Sequence, residues 1–333
     1  MELQVVTERS LWLSLTVSFI AAVAVVLLGI YAEVDQASPL ARIGLLLGTV
    51  PLATLLFALG SGPVRAFVTE RFNKPAAAQQ AAGLLALCLA LTGIGSGFDP
   101  YFWLLMCGLF AGLLLGMRRL KQQQVGWLDL LAWLALLIPF DYRLTSQQWF
   151  GAPGFAYVWW SIAVSVLLLL VWRESRRLPG LNMWLVPQWR DLLIGFGVAA
   201  AALLVLVPLG LAFGFLHWNP PATVDIGRAL GLFVGLFVSV AIPEELFFRG
   251  VLMMGLIQLT GRPLLAILLS SLAFGIFHWN RVDTLQLQLA YCALATIAGL
   301  AYAYAYRKSR NNLLAPVLTH SAVDWVWKMF FIA

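Results

Sequence analysis

Residues Ala229–Leu259 read ALGLFVGLFVSVAIPEELFFRGVLMMGLIQL, and only Glu244, Glu245 and Arg249 in this stretch are ionisable. About 20 apolar residues suffice to cross a hydrocarbon core roughly 30 Å thick, so the stretch reads as a membrane helix. At 1.5 Å per residue its full length is about 46 Å, which calls for tilt or a break. Pro243 lacks a backbone donor and is the expected break point. A helix restarting there holds Glu244 and Glu245 in its first turn, where carboxylates are favoured.

Ten further apolar stretches surround this one: Leu11–Tyr31, Leu40–Gly60, Ala81–Gly95, Tyr101–Gly116, Gly126–Phe140, Tyr157–Trp172, Leu192–Leu216, Pro263–Trp279, Leu285–Tyr306 and Leu313–Ile332. Lipid cannot satisfy an open backbone, so helices are the expected form. The fold class is an all-α polytopic membrane protein of about eleven transmembrane helices, with a range of nine to eleven because Gly126–Phe140 is short. Composition agrees. The 333 residues are 62% apolar and 11% charged, against about 45–50% and about 25% in soluble domains. This excludes a soluble globular enzyme, a disordered chain and a fibrous protein. Leu11–Tyr31 is too long for a signal-peptide core, and no small-residue cleavage site follows it, so a first membrane helix is expected.

The formal charge of +6 reads as topology rather than nucleic-acid binding, since no basic run exceeds three residues. With a cytoplasmic N-terminus and alternating spans, fifteen of the 21 Lys and Arg residues fall on the inside. Only Arg42, Arg143, Arg228, Arg281 and Lys328 fall outside, and Arg249 lies within a stretch. That bias follows the positive-inside rule. The segment Arg173–Asp191 carries Pro179, Pro187, Trp184 and Trp189 and reads as an interfacial connector. Residues 1–176 then form a six-helix extension, 177–191 the connector, and 192–333 a five-helix core holding the catalytic bundle. Glycines four apart (Gly108, Gly112, Gly116; Gly210, Gly214; Gly231, Gly235) read as close helix packing. Cys88, Cys107 and Cys292 read as packing residues.

Ionisable side chains within the hydrocarbon are costly and point to function. In the N-terminal half, Asp129 and Asp141 lie near span ends, within reach of water. The C-terminal half differs. It holds Glu244-Glu245-x-x-x-Arg249, then Phe274-x-x-x-His278, then His320-x-x-x-Asp324, on three segments. Glu245 and Arg249 share a helix face, as do His320 and Asp324. Glu244 points elsewhere and is the carboxylate less neutralised by Arg249. Asp324, when ionised, only accepts hydrogen bonds, so its expected part is to orient His320 and favour its protonated form, or to be protonated itself. Alternating spans put His278 near the outer end of its span and His320 nearer the inner end of its own, a conflict that helix ends displaced by a turn or two, or re-entrant loops, would relieve. His217, beside Trp218 and Pro220, reads as an interfacial surface residue.

The ordered set of three motifs resembles the CPBP family of intramembrane proteases, which groups CAAX prenyl endopeptidases with bacteriocin-processing and abortive-infection proteins. The small-residue helix before the last motif is also present, at Ala293, Ala295, Ala298, Gly299, Ala301 and Ala303. The resemblance covers roughly Leu192–Ala333. It implies an endopeptidase acting near the C-terminus of a membrane-associated protein or peptide. Glu244 resembles the carboxylate that activates water, with His278 assisting. His320 and Asp324 match the oxyanion-stabilising pair, and Glu245, Arg249 and Phe274 match positions that shape the site.

The expected partners are that substrate and the lipid bilayer, in a bacterial inner membrane. Metal-free catalysis with no cofactor is preferred. A zinc ion on Glu244, His278 and His320 is the alternative, although no His-Glu-x-x-His helix supports it. A rhomboid-like serine protease fits poorly: Gly95-Ser96-Gly97 is the nearest nucleophile motif, and its half of the chain has no histidine. The Gly-x-Gly-Asp of aspartyl intramembrane proteases is absent. The remaining rival is a transporter, or a non-catalytic immunity or binding protein, using the same buried charges.

Overall fold

The computed structural model describes residues 8–33, 39–72, 75–96, 100–137, 153–178, 180–182 and 188–332. Lys74, Asp141, Arg143, Pro179, Trp184 and Pro187 lie outside the described residues. Each of the eleven apolar stretches carries a helix, and one short helix is added. The helices are α1 (Glu8–Glu33), α2 (Pro39–Leu59), α3 (Gly62–Phe72), α4 (Pro75–Ser96), α5 (Pro100–Gly116), α6 (Trp127–Leu137), α7 (Pro153–Leu168), α8 (Trp189–Ala212), α9 (Ile226–Thr260), α10 (Pro263–Ile276), α11 (Leu285–Lys308) and α12 (Leu314–Phe330).

Among the described residues, four helices are long and apolar enough to cross a membrane: the Glu8–Leu27 part of α1, α8, α9 and α11. A fifth candidate is the pair Leu46–Leu59 and Gly62–Arg71, bent by 100°. Helix positions thus follow the apolar pattern, and four to five of the described helices meet the length and hydropathy of a full span. Large apolar side chains face outward, Leu204 at 79% and Leu264 at 77% exposure. In water such surfaces are a liability; in lipid they are the expected exterior.

The chain divides into two compact units. The first comprises residues 1–124, 146–178 and 183–186, with α1–α5 and α7. Here α2 packs between α1 and α4. The bend after α2 is held by a buried polar cluster from the π-helical continuation of α7, Leu169–Ser175. Arg173 donates to the Leu59 carbonyl at 2.9 Å and pairs with Glu174, which accepts from Thr69 of α3.

The second unit comprises residues 125–145, 179–182 and 187–333, with α6 and α8–α12. Helix α8 packs on α11 and α12, and α10 packs on α11. Small residues set the close approaches. A Cβ at Gly195 would meet Leu318 Cβ at 2.8 Å, and one at Gly275 would meet Thr296 Oγ1 at 2.0 Å and the Cys292 carbonyl at 2.5 Å. Polar fasteners join α8 to the α12 end: Asn312 donates to Asp191 at 2.8 Å, and Thr319 to the Gly195 carbonyl at 3.0 Å. After α12, Phe331–Ile332 (β2) pairs antiparallel with His217–Trp218 (β1).

The glycines expected to pack closely do not. Among the described residues, nothing lies within 4 Å of a Cβ at Gly108, Gly112, Gly116, Gly231 or Gly235. A spacing of four fixes the face, but the neighbouring helix decides whether that face meets protein. Gly210 meets Leu216 locally, and Gly214 takes φ +65, a turn conformation that costs glycine little.

The contrast is testable. Gly275→Ala is expected to lower stability by about 1–3 kcal/mol through overpacking on α11, read as earlier thermal unfolding in detergent. Gly231→Ala, facing open space, should unfold with the wild type.

Candidate active site

The rod α9 does not break at Pro243. It passes through one α turn, Ile242–Glu245, flanked by π-helical turns at Phe237–Ala241 and Leu246–Met253. A wider turn accommodates the missing proline donor without a kink, and such π segments recur at functional sites. Here they bury Glu244, Glu245 and Arg249 together.

Glu245 Oε1 is the hub. It accepts from Arg249 Nη1 at 3.0 Å and contacts His320 Nδ1 at 2.8 Å. Arg249 Nη2 donates to the Gly299 carbonyl of α11 at 3.1 Å. A Cβ at Gly299 would lie 3.2 Å from that nitrogen, so glycine leaves the space the guanidinium uses. The guanidinium carbon also sits 4.6 Å from the Phe274 ring centre and 5.2 Å from that of Tyr302, within cation–π range.

His320 is clamped by rings. Tyr302 stacks on it at 4.6 Å and 18°, and Phe274 meets it edge-on at 5.6 Å and 86°. Its Nε2 lies 3.5 Å from Asp324 Oδ2 and 3.9 Å from Glu244 Oε2. The closest orienter of His320 is therefore Glu245 from another helix, and not Asp324 one turn along its own. Glu244 Oε2 is buried and makes no hydrogen bond with the described residues.

His278 follows the last turn of α10. Its Nδ1 lies 2.7 Å from the Phe274 carbonyl; a carbonyl only accepts, so Nδ1 carries the proton and Nε2 holds the lone pair. The His278 ring packs on Phe274 at 4.8 Å and Tyr291 at 4.9 Å, and Phe274 also meets His320, so one ring contacts both imidazoles.

A half-open cavity with about 80 Å³ of water-accessible space opens onto these groups. His278, His320 and Asp324 line it beside apolar residues of α8, α11 and α12, such as Leu206, Ala298 and Trp327. Glu244 does not line it and stands behind His320. All seven residues singled out in the sequence thus gather in the second unit. The exposed His217 lies on β1, away from them in sequence and without a place in the cavity wall.

Among the described residues, no three His, Cys, Asp or Glu side chains are placed to hold one ion.

Sequence reasoning missed Tyr302, Tyr291 and Arg281. Tyr302 has the helical phase of Ala295, Ala298 and Gly299, a signal that was present. The guanidinium of Arg281 comes within electrostatic reach of both Glu244 and His278; only the folding back of its turn reveals this.

Residues 225–326 match the family model of the Rce1-like type II CAAX prenyl endopeptidases. This stretch therefore carries an Rce1-like domain, consistent with the CPBP intramembrane proteases. All seven site residues lie inside it, while α8 and the helices before it lie outside. No curated protein and no solved structure matches significantly.

Removing one member of a buried ion pair strands the other charge. Arg249→Ala is expected to cost about 3–5 kcal/mol, visible as thermal unfolding at lower temperature in detergent. Glu244→Gln breaks no hydrogen bond to the described residues and should unfold within about 1 kcal/mol of the wild type.

Proposed function

We propose that this chain, through the Rce1-like domain at residues 225–326, is an intramembrane endopeptidase that cleaves near the C-terminus of a membrane-associated protein or peptide. The observation that carries this reading is Glu244: a buried carboxylate with an oxygen that makes no hydrogen bond among the described residues, beside a histidine that faces the cavity.

In the proposed reaction Glu244 takes a proton from water, and the oxygen attacks the peptide carbonyl carbon. His278 steers the water through its Nε2 lone pair. His320, tied at Nδ1 to Glu245 and flanked at Nε2 by Asp324, presents an Nε2 proton to the developing oxyanion. Collapse breaks the C–N bond, and Glu244 returns its proton to the departing amine. Products are a shortened chain with a new carboxylate and a fragment with a new amino terminus. Glu245, Arg249 and Phe274 position His320.

The proposal extends to the setting. The chain has eleven membrane helices and a cytoplasmic N-terminus, supported by the inside excess of Lys and Arg. The membrane is a bacterial inner membrane. Residues 1–176 are a membrane extension, and 192–333 the protease core.

Glu244→Gln is expected to reduce cleavage about 10²–10⁴-fold, the usual worth of a positioned acid–base group, while leaving the protein folded. Mass spectrometry of membrane-protein C-termini, from cells carrying the wild type or the variant, checks it. Shortened C-termini in the wild type alone are expected. Identical C-termini, with loss of a solute uptake instead, would assign the buried charges to transport.

A further inference from the structure

Helix α11 turns Ala295, Ala298 and Tyr302 to the cavity, a spacing of three and four that keeps them on one helix face. The two alanines are plain hydrocarbon, and Tyr302 carries a polar tip. A buried tyrosine hydroxyl usually finds a partner in the protein. Tyr306, four residues on, obeys that rule and donates to the Gly180 carbonyl. Tyr302 is only 1% exposed, yet its contacts among the described residues are made by the ring: with His320, Phe274 and the Arg249 guanidinium. Its hydroxyl makes no hydrogen bond with the described residues.

The reaction above gives the oxyanion one donor, the Nε2 proton of His320. Asp324 stands 3.5 Å from that nitrogen, but an ionised carboxylate accepts without donating. His278 spends its N–H on the Phe274 carbonyl. Tyr302 is placed for the missing part. Its ring lies over the His320 ring at 4.6 Å and 18°, so the hydroxyl and the imidazole nitrogens leave the stack in nearly parallel planes. Of the charged groups around Tyr302, Asp324 acts on it most, ahead of Glu245 and Arg249. Asp324 flanks Nε2 and Glu245 holds Nδ1, so the hydroxyl leans to the Nε2 side. An oxygen between rings at that spacing can sit about 2.8 Å from a donor on each.

We propose that the Tyr302 hydroxyl is a further catalytic group: it donates a hydrogen bond to the tetrahedral oxyanion alongside the His320 Nε2 proton, in the place that an ionised Asp324 cannot fill. This rests on the protease reading above and deepens it. No bond to Tyr302 forms or breaks, and the hydroxyl keeps its proton throughout. The ring's own part, clamping His320 and lying near Arg249, is separate from the hydroxyl's and needs only a phenyl group.

The test uses the full chain in detergent micelles and one substrate, the member of a randomised peptide pool that the wild type cleaves fastest. Tyr302→Phe keeps the stack and the cation–π contact and removes only the hydroxyl. It should unfold with the wild type, keep KM within about twofold, and lose about 10²–10³-fold in kcat, the usual worth of one oxyanion donor. A phosphinic analogue of the same peptide carries a tetrahedral anion at the scissile position. Its inhibition should weaken by a similar factor in Tyr302→Phe, since a donor to the transition state also binds the mimic of that state. The ratio of its inhibition constant to KM is taken within one protein, so partial unfolding cancels. Wild-type kcat in Tyr302→Phe overturns the proposal. So does a rise in KM at unchanged kcat, which would give the hydroxyl to substrate binding, and so does a lower kcat with undiminished phosphinate inhibition. Each of these defeats the Tyr302 assignment alone, whereas a wild type that cleaves no member of the pool defeats the protease reading with it.

Discussion

Glu245 Oε1 meets Arg249 Nη1 at 3.0 Å and His320 Nδ1 at 2.8 Å, and the second unit is built around that double contact. Buried ions are tolerated in a low-dielectric interior only when their remaining hydrogen-bonding positions are filled. Arg249 therefore reaches the Gly299 carbonyl on α11 and lies against Phe274 on α10. Four helices are drawn to one point: α9 supplies the acid and the guanidinium, α10 a ring, α11 a carbonyl and a ring, and α12 the imidazole. With Glu245 tied into this set, Glu244 next to it keeps an oxygen that makes no hydrogen bond with the described residues, which is why the proposed reaction assigns the water to it.

The aromatic jacket gives the ionic hub its rigidity. Phe274 touches Arg249, His278, His320, Tyr302 and Phe248. Its ring thus carries the position of the guanidinium to both imidazoles at once. Each aromatic pair is worth about 0.5–1.5 kcal/mol beyond burial, and a shared ring makes the contacts interdependent. The site is thus held by contacts from four helices, and an apolar cavity lies beside it.

Much of this was legible in the sequence because lipid allows so few solutions. Apolar runs gave helix positions through α12, and charges that could not reach water marked Glu244, Glu245, Arg249, His278, His320 and Asp324. What escaped depends on three-dimensional neighbours. The proline signal at Pro243 is the same for a kink and for a pair of π turns. Gly231 and Gly235 carry the same spacing signature as packed glycines, yet glycines outside that pattern, such as Gly195, Gly250, Gly255, Gly275 and Gly299, are the ones packed against other segments. Asp324 was four residues from His320, but helical spacing cannot report that Glu245, 75 residues away, comes closer. Helix α3 is too polar for a span search, and the bend before it depends on Arg173 and Glu174.

The central claim is that Glu244 directs water straight onto a peptide carbonyl in the membrane. Cleavage of a randomised peptide pool by the purified chain, run in ¹⁸O-enriched water with hydroxylamine present, tests it most directly. The expected product is a shortened peptide whose new carboxyl carries one ¹⁸O atom, with no hydroxamate. A hydroxamate product would reveal an acyl-enzyme and contradict direct attack by water.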